Sequence, residues 1–116
     1  MARWTWISDN SFVASAKRTT DGASNSRAMR CGESLALEIA VTAITGTNPV
    51  LRPAIQWSFD QTNWFTSHEI VGATATGRLL KTLPVQAPYF RLAWTIKGTF
   101  ASGEGITFEA RVGWRE

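Results

Sequence analysis

The stretch LALEIAVTA, residues Leu35–Ala43, alternates apolar side chains with small or polar ones at every second position. One set of positions carries Leu35, Leu37, Ile39, Val41 and Ala43, and the other carries Ala36, Glu38, Ala40 and Thr42. Successive side chains of a β-strand point to opposite faces of its sheet, whereas a helix repeats every 3.6 residues. The stretch therefore predicts a strand with one buried face.

The same alternation recurs in three other places, and turn-forming residues separate the segments. The clear strands are Ile55–Phe59, Phe90–Ile96 and Ile106–Trp114, and the weaker candidates are Arg3–Ile7, Phe12–Ala16, Trp64–Ser67 and Leu79–Leu83. The separators are Gly46–Pro49, Asp60–Asn63, Gly72–Gly77, Pro84–Pro88 and Gly98–Gly105. About eight short strands at this spacing predict an all-β fold, a single antiparallel β-sandwich of the jelly-roll or immunoglobulin-like kind.

One of the separators has the composition of a hairpin loop. Asp60-Gln61-Thr62-Asn63 joins a segment ending in Trp57-Ser58-Phe59 to one beginning with Trp64-Phe65. Asp and Asn tolerate a left-handed backbone and bond to their own chain, so a four-residue loop is expected here.

The N-terminal part of the chain departs from this pattern. Lys17–Cys31 shows no periodicity and is rich in Ser, Thr, Gly and Asn. Residues 1–31 hold five basic and two acidic side chains, which equals the net charge of +3 of the whole chain. We therefore predict one domain in two parts, an N-terminal arm over residues 1–33 with one or two short strands and a basic loop, and a sandwich body over 34–116.

The composition is that of a chain with a substantial core. Hydrophobic residues make up 44% of the 116 residues and charged residues 18%, and there are six Trp and six Phe. These values argue against disorder. The single cysteine, Cys31, excludes an internal disulfide and a multi-cysteine zinc site. The chain carries no apolar run of signal-peptide or membrane-spanning length, so a chain made in the cytoplasm without a membrane partner is predicted. A charge of +3 is too small to indicate nucleic acid as a partner.

Residues for catalysis are sparse. His68 is the only histidine, and a dyad of Cys31 with His68 is less plausible than a small buried cysteine. Six carboxylates, Glu33, Glu38, Asp60, Glu69, Glu104 and Glu109, follow no spacing rule for a glycosidase. The sequence lacks the phosphate-binding, CxxC, EF-hand and GxSxG motifs. We predict a protein without enzymatic activity, metal or cofactor.

The tryptophans divide into core and surface candidates. Trp57, Trp94 and Trp114 lie in phase with apolar neighbours and are expected in the core. Trp64 at the hairpin, and one of Trp4 and Trp6, are expected at the surface. An exposed Trp can stack on a sugar ring or anchor a protein interface, where Trp and Arg are enriched. Both alternatives stay open.

Three stretches together resemble the small β-sandwich structural proteins of tailed bacteriophages. They are Leu37–Trp64, Tyr89–Phe100 and the final GITFEARVGW. Their shared outline is a Gly-Thr-x-Pro turn at Gly46–Pro49, a Ser-x-Asp-x-x-x-Trp run at Ser58–Trp64 and a Tyr-hydrophobe-Arg strand at Tyr89–Arg91. The resemblance covers the last two thirds of the chain and implies a virion component.

From this resemblance we expect a capsid decoration (cementing) protein that binds the major capsid protein as a homo-oligomer, either a dimer or a trimer. A neck or tail accessory protein, or a receptor-binding carbohydrate module, is the alternative. The contact residues predicted for this role are Arg3, Trp4, Trp6, Arg18, Arg27, Arg30 and Trp64.

Overall fold

The computed structural model describes residues 7–30 and 32–115, and the described chain contains nine strands and no helix. The strands are β1 (Ile7–Arg18), β2 (Gly22–Ala23), β3 (Arg27–Ala28), β4 (Ser34–Ile44), β5 (Thr47–Ser58), β6 (Phe65–Glu69), β7 (Gly77–Pro84), β8 (Tyr89–Thr99) and β9 (Ile106–Arg115). All their pairings are antiparallel. The predicted all-β class is confirmed.

The strands form two sheets with interleaved connections. The first sheet has the order β1-β9-β4-β7, and the second has β2-β8-β5-β6 with β3 also paired to β8. If β2 and β3 are counted as one interrupted strand, the chain has eight strands. Numbered in chain order, they follow the order 1-8-3-6 in the first sheet and 2-7-4-5 in the second. This order is that of a jelly roll, built from two Greek keys, so the connectivity decides between the two predicted sandwich types.

The core lies between the sheets and is filled by the alternating positions. From β4 it takes Leu35, Leu37 and Ile39, each at most 1% exposed. The inward residues of β5, β8 and β9 supply most of the rest, namely Leu51, Ile55, Trp57, Phe90, Leu92, Trp94, Ile96, Ile106, Phe108, Ala110 and Val112. Five further residues also belong to it: Val13, Met29, Val41, Leu83 and Ala87. Period-two alternation thus identified the buried face of the four clear strands, because each has one face in the core. It failed at two strand ends, where Ala43 lies past a register shift that follows Val41 and Phe59 lies past the end of β5, and both are exposed.

The first strand is longer than the sequence indicates. β1 pairs with β9 from Ile7 to Arg18, with register shifts between Asp9 and Val13 and between Val13 and Ala16. A bulge changes which side chains face the core. No single alternation therefore runs along β1, and only part of it was recognised, as the segment Phe12–Ala16 and as Ile7 at the end of the candidate strand Arg3–Ile7, whose other residues lie outside the described part.

The segment Lys17–Cys31 is not structureless where it is described. Its strands β2 and β3 pair with β8, and polar side chains extend the pairing. Asp21 Oδ1 accepts a hydrogen bond from Ile96 N at 2.8 Å, and Ser24 Oγ accepts one from Leu92 N at 2.9 Å. The prediction of a loop was wrong for these strands, since Ser24 and Asp21 accept hydrogen bonds from the backbone of β8.

The predicted turn at Gly46–Pro49 is also shorter than expected. β5 already begins at Thr47, and its register against β8 shifts between Thr47 and Val50. Asn48 and Pro49 together oppose Gly98, which is a β-bulge, and Asn48 has a positive φ of 50°. Proline is compatible with a bulge because the bulged residues leave the hydrogen-bond ladder.

Candidate functional site

The β5–β6 hairpin is held by a compact set of hydrogen bonds within its loop. The loop runs over residues 59–64, two residues longer than predicted. The Ser58 hydroxyl is fully buried beneath it, donates to Asp60 Oδ1 at 3.0 Å and accepts from Gln61 N at 2.9 Å. Asp60 Oδ1 accepts from the backbone N–H groups of Thr62 and Asn63, both at 2.9 Å. One serine and one aspartate therefore fix the loop conformation.

The same hydrogen bonds favour the charged form of Asp60. The backbone N–H of Asn63 lowers the pKa of the Asp60 carboxyl most, followed by the N–H of Thr62 and the side chains of Asn63 and Ser58. The side-chain amide of Asn63 donates to Asp60 Oδ2 at 2.8 Å. The result is a pKa well below the ordinary range of an aspartate.

Asp60→Asn is expected to destabilise the protein near neutral pH, and the difference should shrink in acid. A lowered pKa in the folded state means that the unfolded chain binds the proton first as the pH falls. The contribution of Asp60 is therefore complete above the pKa of a free aspartate, about 3.9, and is lost progressively as the pH falls from there towards the lower pKa of the folded state. Urea unfolding of both proteins between about pH 7 and about pH 3 measures this. A difference that stays constant over that range would contradict the electrostatic origin.

Two aromatic side chains of the hairpin are exposed. Phe59 is 71% exposed and Phe65 is 46% exposed, and their ring centroids lie 6.3 Å apart with the planes inclined by 30°. The sequence pattern placed Phe59 in the inward set with Ile55 and Trp57. That prediction was wrong, because β5 ends at Ser58 and Phe59 belongs to the loop that follows it.

Trp64 lies on the other side of the hairpin, against the outer face of the second sheet. The guanidinium carbon of Arg91 is 4.3 Å from the centre of the Trp64 ring. Arg91 Nε donates to Gln56 Oε1 at 2.8 Å, and Gln56 Nε2 donates to Thr66 Oγ1 at 3.2 Å. A chain of side chains across three strands thus positions the indole, and burial lowers the pKa of Arg91. Trp64 is half-buried rather than free.

We name Phe59, Trp64 and Phe65 the hairpin aromatics. They lie at the two ends of the loop. The loop is also held to the β2–β3 connection, where Ser26 Oγ donates a hydrogen bond to Gln61 Oε1. Their backbone is therefore fixed from within the loop and from a neighbouring segment. Exposed aromatic side chains on a fixed backbone provide contact area at a low cost in conformational entropy.

The other predicted contact residues lie apart from the hairpin aromatics. Arg3, Trp4 and Trp6 lie outside the described residues. Arg27 stands 4.6 Å from the centre of the Trp114 ring. Arg30 is exposed, and its backbone N–H donates to Glu33 Oε1. The predicted arginines Arg18, Arg27 and Arg30 therefore occupy separate places, and the arginine that stands against Trp64 is Arg91, which was not in the predicted set.

Arg18 makes its contacts inside its own chain. Its guanidinium donates to the carbonyl oxygens of Ala14 at 2.9 Å and Phe108 at 3.1 Å. It also stands 4.6 Å from the ring centre of Phe108 and 5.2 Å from that of Trp94. Burial lowers the pKa of Arg18. The side chain closes the end of the core where β1 meets the start of β9.

Sequence reasoning identified Trp64 but missed the exposed pair Phe59 and Phe65 on the same hairpin and Arg91 at the Trp64 ring. The Ser-x-Asp-x-x-x-Trp run was the available signal, because it predicts a hairpin with the aromatic residues at its base. The position of Arg91 depends on its pairing with Gln56, which the sequence does not state.

No group of three metal-ligating side chains occurs within residues 7–30 and 32–115. His68 Nδ1 lies 2.8 Å from Ser67 Oγ, whereas Cys31, its suggested partner, lies outside the described residues. Over the same described part, no helix is long and apolar enough to cross a membrane. Neither a protein-family model nor a curated protein matches this chain.

Proposed function

We propose that the protein is a structural component of a phage-type virion, a capsid decoration protein that binds a neighbouring virion protein through its hairpin aromatics. The observation that carries this proposal is the exposed Phe59–Phe65 pair on a hairpin fixed by Ser58 and Asp60. A large aromatic residue exposed at 71% has no role in the core of its own chain.

The chemistry of the hairpin suits binding to protein. Interface centres are enriched in Phe, Trp, Tyr and Arg, and a few such residues supply most of the binding energy. Phe59, Phe65 and Trp64 with its Arg91 provide this set within one short segment. A rigid loop adds affinity because little entropy remains to be lost when the partner binds.

Two further observations, the sequence resemblance and the strand order, favour a virion as the particle to which the protein binds. The resemblance to phage β-sandwich proteins includes the Ser58–Trp64 run that forms the hairpin. The jelly-roll strand order is an architecture that viral capsid proteins use, and also lectins. Because a fold alone does not assign a function, the proposal depends on the hairpin as its binding site.

Incorporation into particles tests the proposal. The double variant Phe59→Ser/Phe65→Ser is expected to reduce the number of copies per purified virion by about tenfold or more, since hot-spot side chains contribute about 2 kcal/mol or more each. Virions assembled with each variant in place of the original chain are purified, and the protein is quantified against the capsid protein. The urea unfolding midpoint confirms that the variant remains folded.

Val71→Ser is the matched control, because Val71 is 83% exposed and lies outside the hairpin. It should be incorporated like the original chain. Normal incorporation of the folded double variant would overturn the proposal.

A carbohydrate-binding role is the second candidate, and the setting of Trp64 favours it. One ring face of Trp64 rests on Arg91, and Gln56 and Thr66 lie next to this pair as hydrogen-bonding groups. If binding on a glycan array is found and is abolished by Trp64→Ala, while Phe59→Ser/Phe65→Ser is incorporated normally, this second function replaces the first.

A further inference from the structure

The four sheet edges of the sandwich differ in how readily they could pair with another strand. β1 has two register shifts, β6 has five residues and one shift, and β2 and β3 have two residues each. β7 pairs with β4 over eight consecutive residues without a shift. Natural proteins protect sheet edges by bulges and short strands. Among the described residues, β7 is the edge with neither a bulge nor a short length, and the protection it does carry consists of two charged residues and a proline, Arg78, Lys81 and Pro84.

The outer surface of β7 carries an exposed leucine beside an apolar groove. Leu80 is 71% exposed. The groove lies between β7 and the chain that follows β6, has a volume of about 230 Å³, and is lined by Leu37, Ile39, Glu69, Ile70, Val71, Leu79, Leu80 and Lys81. An exposed apolar residue on a regular edge strand is unfavourable in an isolated sheet and favourable in a paired one.

The charges next to this edge are directed away from it or into the groove. Arg78 Nη1 lies 3.1 Å from Glu38 Oε1 on the neighbouring strand β4, so its side chain extends over the sheet rather than across the edge. Lys81 lines the groove. On the outer face, the residues left at the middle of the edge are Leu80 and Thr82, which are uncharged.

We propose that β7 is the site at which two copies of this chain pair, antiparallel and about a two-fold axis, with Leu80 opposite Leu80 of the second copy. The first sheets of the two copies would then join into one sheet of eight strands. A second copy is the occupant because the strand is complementary to itself in this register: Arg78 lies opposite Thr82 and Leu79 opposite Lys81, so no like charges face each other directly.

The neighbouring registers are less favourable. Shifting the pairing by two residues in one direction places Lys81 opposite Lys81, which is a repulsive cross-strand pair. Shifting it by two residues in the other direction pairs Leu79 with Leu79, but it places Leu80 of each copy opposite the charged Arg78. A shift by one residue would put the outer face of one sheet in line with the core face of the other.

Sedimentation equilibrium of the full chain over a range of concentrations tests the pairing. The original chain is expected to form a dimer. Leu80→Glu places two carboxylates opposite each other at the axis and should weaken the dimer by about a hundredfold or more. Val71→Glu introduces the same charge at the rim of the groove but off the strand, and it should leave the dimer intact.

Cross-linking tests the register. In a Cys31→Ser background, Leu80→Cys is expected to give a disulfide-linked dimer on mild oxidation, because directly opposite residues of an antiparallel pair lie within reach of a disulfide. Leu79→Cys is the matched control and should remain unlinked, since its opposite residue is Lys81.

A chain that stays monomeric at the highest concentration at which it is soluble would overturn the inference. A dimer that is equally stable with Leu80→Glu would overturn it too. The inference does not rest on the proposed function. Loss of the dimer in Leu80→Glu and loss of particle incorporation in Phe59→Ser/Phe65→Ser are separate readings, so either can fail alone.

Discussion

Trp57→Ala is expected to lower the free energy of unfolding by about 3 to 5 kcal/mol, the range found when a fully buried large aromatic side chain is truncated. Trp57 is 0% exposed and its ring centroid lies 5.5 Å from that of Phe90 on the paired strand. Its Nε1 donates to Ser67 Oγ at 2.8 Å, which joins β5 to the edge strand β6. Alanine would remove the packing, leave a cavity and take away one of the two hydrogen-bond partners of the Ser67 hydroxyl, whose other partner is His68 Nδ1.

Equilibrium urea unfolding measures this loss, and two further variants divide it. Trp57→Phe keeps an aromatic ring but loses the hydrogen-bond donor. It should therefore cost less than Trp57→Ala, and about 1 to 2 kcal/mol of its cost should come from the lost hydrogen bond. Phe59→Ala removes an aromatic side chain two residues further along the chain that is 71% exposed. It should change the free energy of unfolding by about 0.5 kcal/mol or less. Equal losses for Trp57→Ala and Phe59→Ala would contradict the assigned burial.

Gly98→Ala is expected to cost about 3 kcal/mol, although it adds a single methyl group. Gly98 has a φ of 126°, which side chains of L-residues rarely adopt. A Cβ atom there would lie 3.0 Å from Asn48 O, 3.0 Å from Pro49 Cα and 3.1 Å from Thr47 O. All three are backbone atoms of the bulge in β5, and backbone cannot move aside as the end of a side chain can.

Gly103→Ala distinguishes the cost of a positive φ from the cost of the close approach of backbone atoms. Gly103 also has a positive φ, of 83°, but no atom lies within 4 Å of the position of its Cβ. Gly103→Ala should therefore lower the free energy of unfolding by the cost of the backbone conformation alone, about 1 kcal/mol. Urea unfolding of both variants gives the comparison, and a cost for Gly98→Ala no larger than that for Gly103→Ala would show that the bulge does not restrict this position.

The fold was predictable where one physical rule operates alone. Leu35–Ala43 alternates because one face of β4 is in the core along most of its length, and the same holds for the inward residues of β8 and β9. β1 was recognised only in part because two bulges interrupt its phase. β2 and β3 were missed because two residues are too few to show a period, and their pairing depends on Asp21 and Ser24 binding a distant strand.

The candidate site was predictable to a smaller extent. Trp64 followed from the hairpin signal, but periodicity does not say where a strand ends, so Phe59 was assigned to the core. The position of Arg91 at Trp64 depends on the register of β5 against β8, in which Gln56 lies opposite Arg91. The exposure of Leu80 depends on which strand forms the edge of its sheet, and that is a property of the connectivity rather than of any local segment.

The order of the strands has a consequence for how the chain folds during synthesis. β8 and β9, the last two of the nine described strands in chain order, each lie in the interior of a sheet, β8 between β2 and β5 and β9 between β1 and β4. Until they have been synthesised, β1 has no strand to pair with, although it is the first of the nine. Both sheets therefore close late and through contacts between distant parts of the sequence, which makes folding slow.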